Sequence, residues 1–315
     1  MLDLSEATMS TVLVLGGYGA VGAHLTAALR TRGHRALTAG RDSSRADVPL
    51  DINDSTALRA AADQVDVVVN GTGREDPDLI ATIAATGTPV LDVSADTGYL
   101  AALEHLSPAA PVLLSVGIAP GLTNLLAHAV DARHPGDGPL DIAIVLGTGE
   151  AHGAAASAWT YGLLGCEFTD PDGSTVRNLT VGDRFDLDGG PRTLYRADFS
   201  DQHTTTRLLG RPVRSWFGMD TAWATTALAL LARAPGLTRL MPGNPRFPGG
   251  DGWLLQVRDQ TGPRVTMTGN GQSAATADVA ARAVELVTDL DPGVHHLPEV
   301  TTLTALDVPH RTVWH

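Results

Sequence analysis

One short run near the start of the chain leaves few folds open. Residues 11–22 read TVLVLGGYGAVG, and the helix-forming stretch Ala23–Arg30 follows at once. Four apolar residues in a row, Val12–Leu15, suit a strand covered on both faces, as in a parallel sheet. The glycines that follow have separate duties. Gly17 permits a tight turn, Gly19 lets the backbone approach a diphosphate, and Gly22 lets the next helix lie close to the strand. The helix start then offers unbonded N–H groups and the positive end of its dipole to phosphate oxygens. Tyr18, Ala20 and Val21 belong to the same turn. Strand, glycines and helix in this order predict a dinucleotide-binding βα unit.

The alternation that such a unit needs continues along the chain. Strands are expected at Arg35–Gly40, Asp47–Asp51, Val65–Asn70, Pro89–Ser94 and Val112–Val116. Helices are expected at Thr56–Ala62 (capped by Asp54 or Ser55), Pro77–Thr86 and Tyr99–Leu106. Six strands alternating with helices predict an α/β fold built on a doubly wound parallel Rossmann sheet. At 315 residues the chain exceeds one such domain. Past residue 138 or so the pattern changes to Leu140–Leu146 as a strand and Gly153–Leu164 as a helix. Shorter strands follow, then a helix at Trp223–Arg233 and paired strands at Trp253–Asp259 and Pro263–Gly269. This predicts a second α+β substrate lobe on a mixed sheet. The helix Ser273–Leu290 is expected to return to the first lobe. The expected division is therefore 1–124 plus 273–315 for the dinucleotide domain and 125–272 for a substrate and dimerisation domain.

The end of the second strand bears on which nucleotide is held. An NAD site usually places Asp or Glu there for the ribose 2′-hydroxyl. Here Gly40 is followed by Arg41, Asp42, Ser43, Ser44 and Arg45. A guanidinium flanked by hydroxyls suits a 2′-phosphate, so NADP(H) is favoured. Asp42 facing a bare ribose is the alternative, with NAD(H) as the cofactor. Ligands in such sheets lie beyond the carboxyl ends of the strands. That adds Asp51, Asn70, Gly71, Thr72, Ser94 and Gly117 to the expected cofactor set. N–H groups near Gly121, past the sixth strand, are expected to stabilise negative charge.

Composition excludes several functions. The net charge is −13 and there is no basic run, so nucleic acid is not an expected partner. No apolar stretch has the length of a membrane span, and residues 1–10 lack the basic start of a signal peptide. Cys166 is the single cysteine, which rules out an intrachain disulfide and a thiolate metal cage. A buried, inert thiol and a cytoplasmic setting are the expectations. All 22 basic residues counted as Lys plus Arg are Arg. Without lysine there is no Schiff-base chemistry, no Walker phosphate loop and no Tyr-Lys carbonyl-polarising pair.

Several segments together resemble the saccharopine dehydrogenase-like oxidoreductases. They are GGYGAVG at 16–22, AGRD at 39–42, LDVSAD at 91–96, SVGIAPGLTN at 115–124, GNGQSAATA at 269–277 and PGV at 292–294. The middle of the chain is anchored only by GTGEAHG at 147–153. The resemblance implies NAD(P)-dependent oxidoreduction at a carbon–nitrogen bond and a discontinuous first lobe. The lack of lysine departs from family members with a catalytic lysine, so their acid–base scheme does not carry over.

Protonation at the reacting centre therefore falls to other groups. Glu150 and His152 end an expected strand, and Tyr161 lies on the helix after it. Asp96 is a further candidate, to hold an iminium, and His203 a third, on an expected surface loop. Arg184, Arg196, Arg207 and Arg211 are candidates to clamp a substrate carboxylate. No metal motif is present; His295 and His296 lack the spacing of a metal site. The reading is an NADP-dependent oxidoreductase of a small imine, secondary amine or amino-acid-derived molecule, working as a homodimer. The alternatives are reduction of a C=O or C=C bond, a redox-neutral cyclase or isomerase step, and an NADP(H)-sensing protein without turnover.

Overall fold

The computed structural model describes residues 9–149, 162–234, 249–260 and 262–315. These form two compact units. The first runs to Gly117 and takes in Thr276–Thr301; the second is Ile118–Ala275 with Thr302–His315.

The first unit is built on seven parallel strands. They are β1 (Thr11–Leu15), β2 (Arg35–Gly40), β3 (Val48–Pro49), β4 (Val67–Asn70), β5 (Val90–Asp92), β6 (Pro111–Leu114) and β15 (Gly293–His296), in the spatial order β15-β6-β5-β4-β1-β2-β3. Apart from β15 this is the Rossmann order 3-2-1-4-5-6, whose switch point lies between β1 and β4. Val12–Leu15 and Val67–Val69 are fully buried, as their uninterrupted apolar runs require. The helices are α1 (Ala20–Thr31), α2 (Ser55–Ala62), α3 (Pro77–Ala84) and α4 (Thr97–Glu104). On one face Leu13, Leu15 and Val68 pack with Leu58, Ile80 and Leu100. Each such buried side chain contributes roughly 1.5–3 kcal/mol.

The second unit carries a mixed sheet, ordered β10-β11-β12-β7-β13-β14-β16. Its strands are β7 (Leu140–Leu146), β10 (Gly182–Leu187), β11 (Gly190–Arg196), β12 (Val213–Met219), β13 (Gly252–Asp259), β14 (Arg264–Asn270) and β16 (Arg311–Trp314). Only β12 and β7 run parallel; the other neighbours are antiparallel. A separate ribbon pairs β8 (Glu167–Thr169) with β9 (Thr175–Arg177). Phe185, Leu194 and Trp216 pack with Ala143 and Val145 as a core on the mixed sheet. Its helices are α5 (Leu122–Arg133), α6 (Ser200–Leu209) and α7 (Ala222–Arg233). The helix α8 (Gln272–Val287) begins in this unit and continues in the first. The short α9 (Leu297–Val300) belongs to the first unit and α10 (Leu303–Leu306) to the second.

Three differences from expectation have physical causes. Residues 200–204 are not a surface loop but the start of α6. That helix has three threonines and no apolar stripe, and its buried Asp201, Gln202 and Thr205 are held by polar partners. Strand β12, at residues for which the sequence reading named no element, lacks alternation because residues on both of its faces are buried. Residues 302–315, expected with the dinucleotide domain, belong instead to the second unit, where β16 hydrogen-bonds to β14 as its edge strand.

Candidate nucleotide-binding site

The turn after β1 is held by its own backbone. Gly16 takes a positive φ of 73° at this turn. A Cβ at Gly16 would stand 2.9 Å from the Gly71 carbonyl oxygen, so the exits of β1 and β4 touch here. Gly17 is small for another reason: a Cβ there would meet the Thr38 side chain at 2.8 Å. The Gly19 N–H donates to the Gly16 carbonyl at 2.8 Å. A Cβ on Gly22 would lie 2.2 Å from that same oxygen, so α1 approaches the turn as closely as backbone allows.

The first turns of the four helices before Gly117 divide into two kinds. The Asp54 carboxylate accepts from Thr56 and Ala57 at the start of α2, Asp76 from Asp78 at α3, and Asp96 from Tyr99 at α4. Helix α1 has Gly19 as its N-cap and no side-chain cap at all. The first N–H groups of α1 thus meet no side chain of its own cap, while α2, α3 and α4 carry theirs.

Around the end of β2 the side chains are arranged about Tyr18. Its ring covers Gly40, where a Cβ would overlap the phenol. The Arg45 guanidinium stacks 4.4 Å from the ring centroid and donates to the Tyr18 carbonyl at 3.4 Å. The Asp42 N–H donates to the Tyr18 hydroxyl oxygen at 3.4 Å. Asp42 Oδ1 accepts from the Ser44 N–H at 3.0 Å and hydroxyl at 2.6 Å, which hold its carboxyl below the usual range. Arg41 and Ser43 are exposed. Asp51 accepts from the Asn53 backbone and side chain, and these bonds lower its pKa, with Arg41 and Arg74 adding to the effect.

The ends of β4 and β5 share a buried polar knot. Asn70 Nδ2 and the Tyr99 hydroxyl each donate to Asp92 Oδ2 at 2.8 Å, and the Ser94 N–H donates to Oδ1 at 2.8 Å. Asn70 Oδ1 accepts from the Thr72 hydroxyl at 2.7 Å. Burial pushes Asp92 up against the pull of these donors. Burial and the neighbouring Asp92 push the Tyr99 hydroxyl up as well, so it stays a donor. Sequence reasoning found Asn70, Gly71, Thr72 and Ser94 here but missed Asp92 and Tyr99. Their signal was present: an Asp ending one strand seven residues before a Tyr on the next helix.

Other expected site residues fall elsewhere. Glu150, His152 and Tyr161 lie outside the described residues. Asp96 commits Oδ1 to the first turn of α4. Gly117 is buried just past β6. The Gly121 N–H, expected to face an anion, donates to Asn124 Oδ1 at 2.7 Å inside a buried helix start. His203 lies on α6 with Nε2 2.7 Å from Asp198. Two of the arginines expected to clamp substrate are structural. Arg196 is buried on Gln202, the Ser215 carbonyl and Asp170. Arg211 is buried on Asp131, Asp259 and the Gly138 carbonyl. Arg184 and Arg207 are exposed. Cys166 is exposed rather than buried. Among the described residues no helix is long and apolar enough to cross a membrane, and no group of three metal-ligating side chains gathers.

Comparison with known proteins bears on the whole arrangement. Residues 12–86 match the model of the NAD dependent epimerase/dehydratase family. The apo saccharopine dehydrogenase (L-Glu forming) of Saccharomyces cerevisiae superposes over 96% of this chain and 100% of its own, with a TM-score of 0.63 at 15% identity. The fold is that of saccharopine dehydrogenase. An amine dehydrogenase from Mycobacterium smegmatis aligns over 93% of this chain and 96% of its own, with a TM-score of 0.49 and 12% identity. The dipicolinate-bound dihydrodipicolinate reductase of Paenisporosarcina sp. TG-14 aligns over 93% and 100%, with a TM-score of 0.45 and 10% identity. No curated protein matches the sequence.

Proposed function

We propose that the chain is an NADP-dependent oxidoreductase acting on a carbon–nitrogen bond, an imine or secondary amine, of a small amino-acid-derived substrate. The observation that carries the reading is the start of α1. It is the one of the four sheet helices before Gly117 without a side-chain cap, and it begins on glycines that have no room for a Cβ. Such an end binds diphosphate through backbone N–H groups. Gly17–Gly22 would hold the diphosphate, with Asn70, Gly71 and Thr72 beside it and Ser94 and Gly117 toward the nicotinamide. The cofactor would supply or take the hydride.

The preference for NADP rests on the Tyr18–Arg45 stack. Tyr18 holds one guanidinium over the end of β2, and Arg41 adds a second cation beside it. Asp42, the residue that would suit a bare ribose, already accepts two bonds from Ser44. The C–N bond is supported by the shared saccharopine dehydrogenase fold and by the family-like segments. Glu150, His152 and Tyr161 remain the proposed proton-handling side chains, and a cytoplasmic homodimer acting on a small molecule completes the proposal.

Titration calorimetry with NADPH and NADH tests the nucleotide reading. Wild type should bind NADPH more tightly. Arg45→Ala should weaken NADPH about tenfold, roughly 1.4 kcal/mol, and leave NADH unchanged. Heat from neither nucleotide would end the proposal. The bond acted on is tested by following nicotinamide absorbance with pairs of keto acids and amines against simple ketones and enones.

A further inference from the structure

Three neighbouring strands of the first unit end level with one another, and their last residues are joined. Leu15 of β1 pairs with Asn70 of β4, and Asn70 with Asp92 of β5. Asn70 and Asp92 are buried, as is Tyr99 on α4. Val90 and Leu91, the rest of β5, are apolar and fully buried. A carboxylate in such a place costs free energy that an apolar side chain would not. Three donors hold it there, the Asn70 amide, the Tyr99 hydroxyl and the Ser94 N–H, each at 2.8 Å. What the carboxylate contributes is order in the loop after β4.

A carboxylate only accepts, so Asn70 must turn its NH2 group toward Asp92 and its Oδ1 away. Oδ1 then accepts from the Thr72 hydroxyl at 2.7 Å and the Thr72 N–H at 3.3 Å. Nδ2 also donates to the Arg74 carbonyl at 3.3 Å, and Thr72 Oγ1 accepts from the Arg74 N–H at 3.0 Å. These bonds close residues 70–74 on one side chain whose orientation Asp92 decides. The loop in turn bears on the glycine turn. The Gly71 N–H donates to the Leu15 carbonyl at 3.0 Å. The Gly71 carbonyl oxygen is the atom that a Cβ on Gly16 would meet at 2.9 Å. Gly16 then accepts from the N–H of Gly19, the N-cap of α1. A continuous path of contacts thus leads from Asp92 to the start of α1, all of it within the first unit.

We infer that Asp92, supported by Tyr99, is a positioning residue for the glycine turn: it sets the loop after β4, and that loop sets the backbone that would face a diphosphate. The inference rests on the dinucleotide reading above and requires no ligand to touch Asp92. It assigns the pair to the diphosphate half of the nucleotide and not to the adenosine half, which belongs to Tyr18 and Arg45 at the end of β2. Asp92→Asn brings a donor to a point at which three donors already aim, so Asn70 must turn over and release Thr72. Tyr99→Phe removes one of the donors and keeps the ring.

Amide hydrogen exchange on the full chain without nucleotide reads the link first. The N–H groups of Gly71 and Gly19 should exchange about tenfold faster in Asp92→Asn and about threefold faster in Tyr99→Phe, while β13 of the second unit keeps its protection. Unchanged exchange at both glycines overturns the inference. Equal loosening of β13 marks a purely structural role and overturns it too. Calorimetry then follows NADPH, and NMR titration follows adenosine 2′-phosphate, which lacks the diphosphate. Asp92→Asn should weaken NADPH about tenfold and leave adenosine 2′-phosphate unchanged. Wild-type NADPH affinity, or equal losses for both ligands, overturns the inference. Asn70→Asp combined with Asp92→Asn sets an acceptor and a donor facing each other again, so it should regain part of the NADPH affinity; a double variant no better than Asp92→Asn alone counts against it. If Asp92→Asn does not fold, Tyr99→Phe carries the same comparison with a loss of about threefold, and wild-type values in it overturn the inference. If wild type binds no NADPH, the dinucleotide reading has failed, and the exchange rates still accept or reject the tie between Asp92 and the turn.

Discussion

At the scale of single residues, the site depends on atoms that are missing. Gly22 has no Cβ, and one placed there would overlap the Gly16 carbonyl oxygen. Overpacking of that kind costs about 1–3 kcal/mol. Gly22→Ala should therefore lower stability to denaturant by about that amount. It should also weaken NADPH by more than Arg45→Ala does, because it displaces the turn that presents the backbone. Chemical denaturation and calorimetry on one preparation separate the two effects. Intact nucleotide affinity in Gly22→Ala would contradict the placement of the diphosphate on this turn. Arg196 shows the opposite case, a charge enclosed rather than an atom omitted. Burial lowers its pKa, and Gln202, the Ser215 carbonyl and Asp170 hold it. Arg196→Ala strips these groups of their partner and should destabilise the protein by about 3–5 kcal/mol, read as a loss of urea midpoint.

At the scale of elements, helix ends and helix ties carry the argument. Helix α1 ends at Thr31, and its C-cap Arg32 donates from Nε and a terminal nitrogen to both oxygens of Glu285 on α8, at 2.7 and 2.8 Å. Burial raises Glu285, but its bonds and attraction to Arg32 outweigh that and leave it below the usual glutamate range. A depressed carboxylate adds stability above the unfolded value and loses it as pH falls through the folded one. Melting temperature should thus begin to fall as pH drops below the ordinary 4.5, and less so in Glu285→Gln. Parallel acid limbs in the two proteins would count against this tie. Elements are also where the sequence was most and least readable. The β1–α1 unit was legible because its signal is local: an apolar run, glycines and a helix within twenty or so residues. The caps Asp54, Asp76 and Asp96 sit one residue before their helices, yet only Asp54 was read as a cap, with Ser55 as its alternative. Strand β15 was not legible, since four residues reading GVHH become a strand only beside β6. For the same reason the bonds of His296 to Glu104 and Ser115, 192 and 181 positions away along the chain, could not be read from it. Helix α6 was hidden because buried polar contacts, which no periodicity reports, hold it in place.

At the scale of the whole molecule, chain order and unit membership part company. Every residue proposed to touch the nucleotide precedes Ile118, yet the first unit also needs Thr276–Thr301. Within that stretch Val279, Ala280, Val284 and Val287 are fully buried. A chain cut after Ala275 should keep all of the glycine turn and still fail to hold NADPH, with a broadened or absent melting transition. Wild-type affinity in that fragment would show that the sheet closes without its last strand. Both seven-stranded sheets gain an edge strand late, β15 at 293–296 in one and β16 at 311–314 in the other. During synthesis, then, neither half can finish before the other has nearly done so. The glycine turn near the start of the chain therefore waits on an edge strand made after nearly all of the second unit.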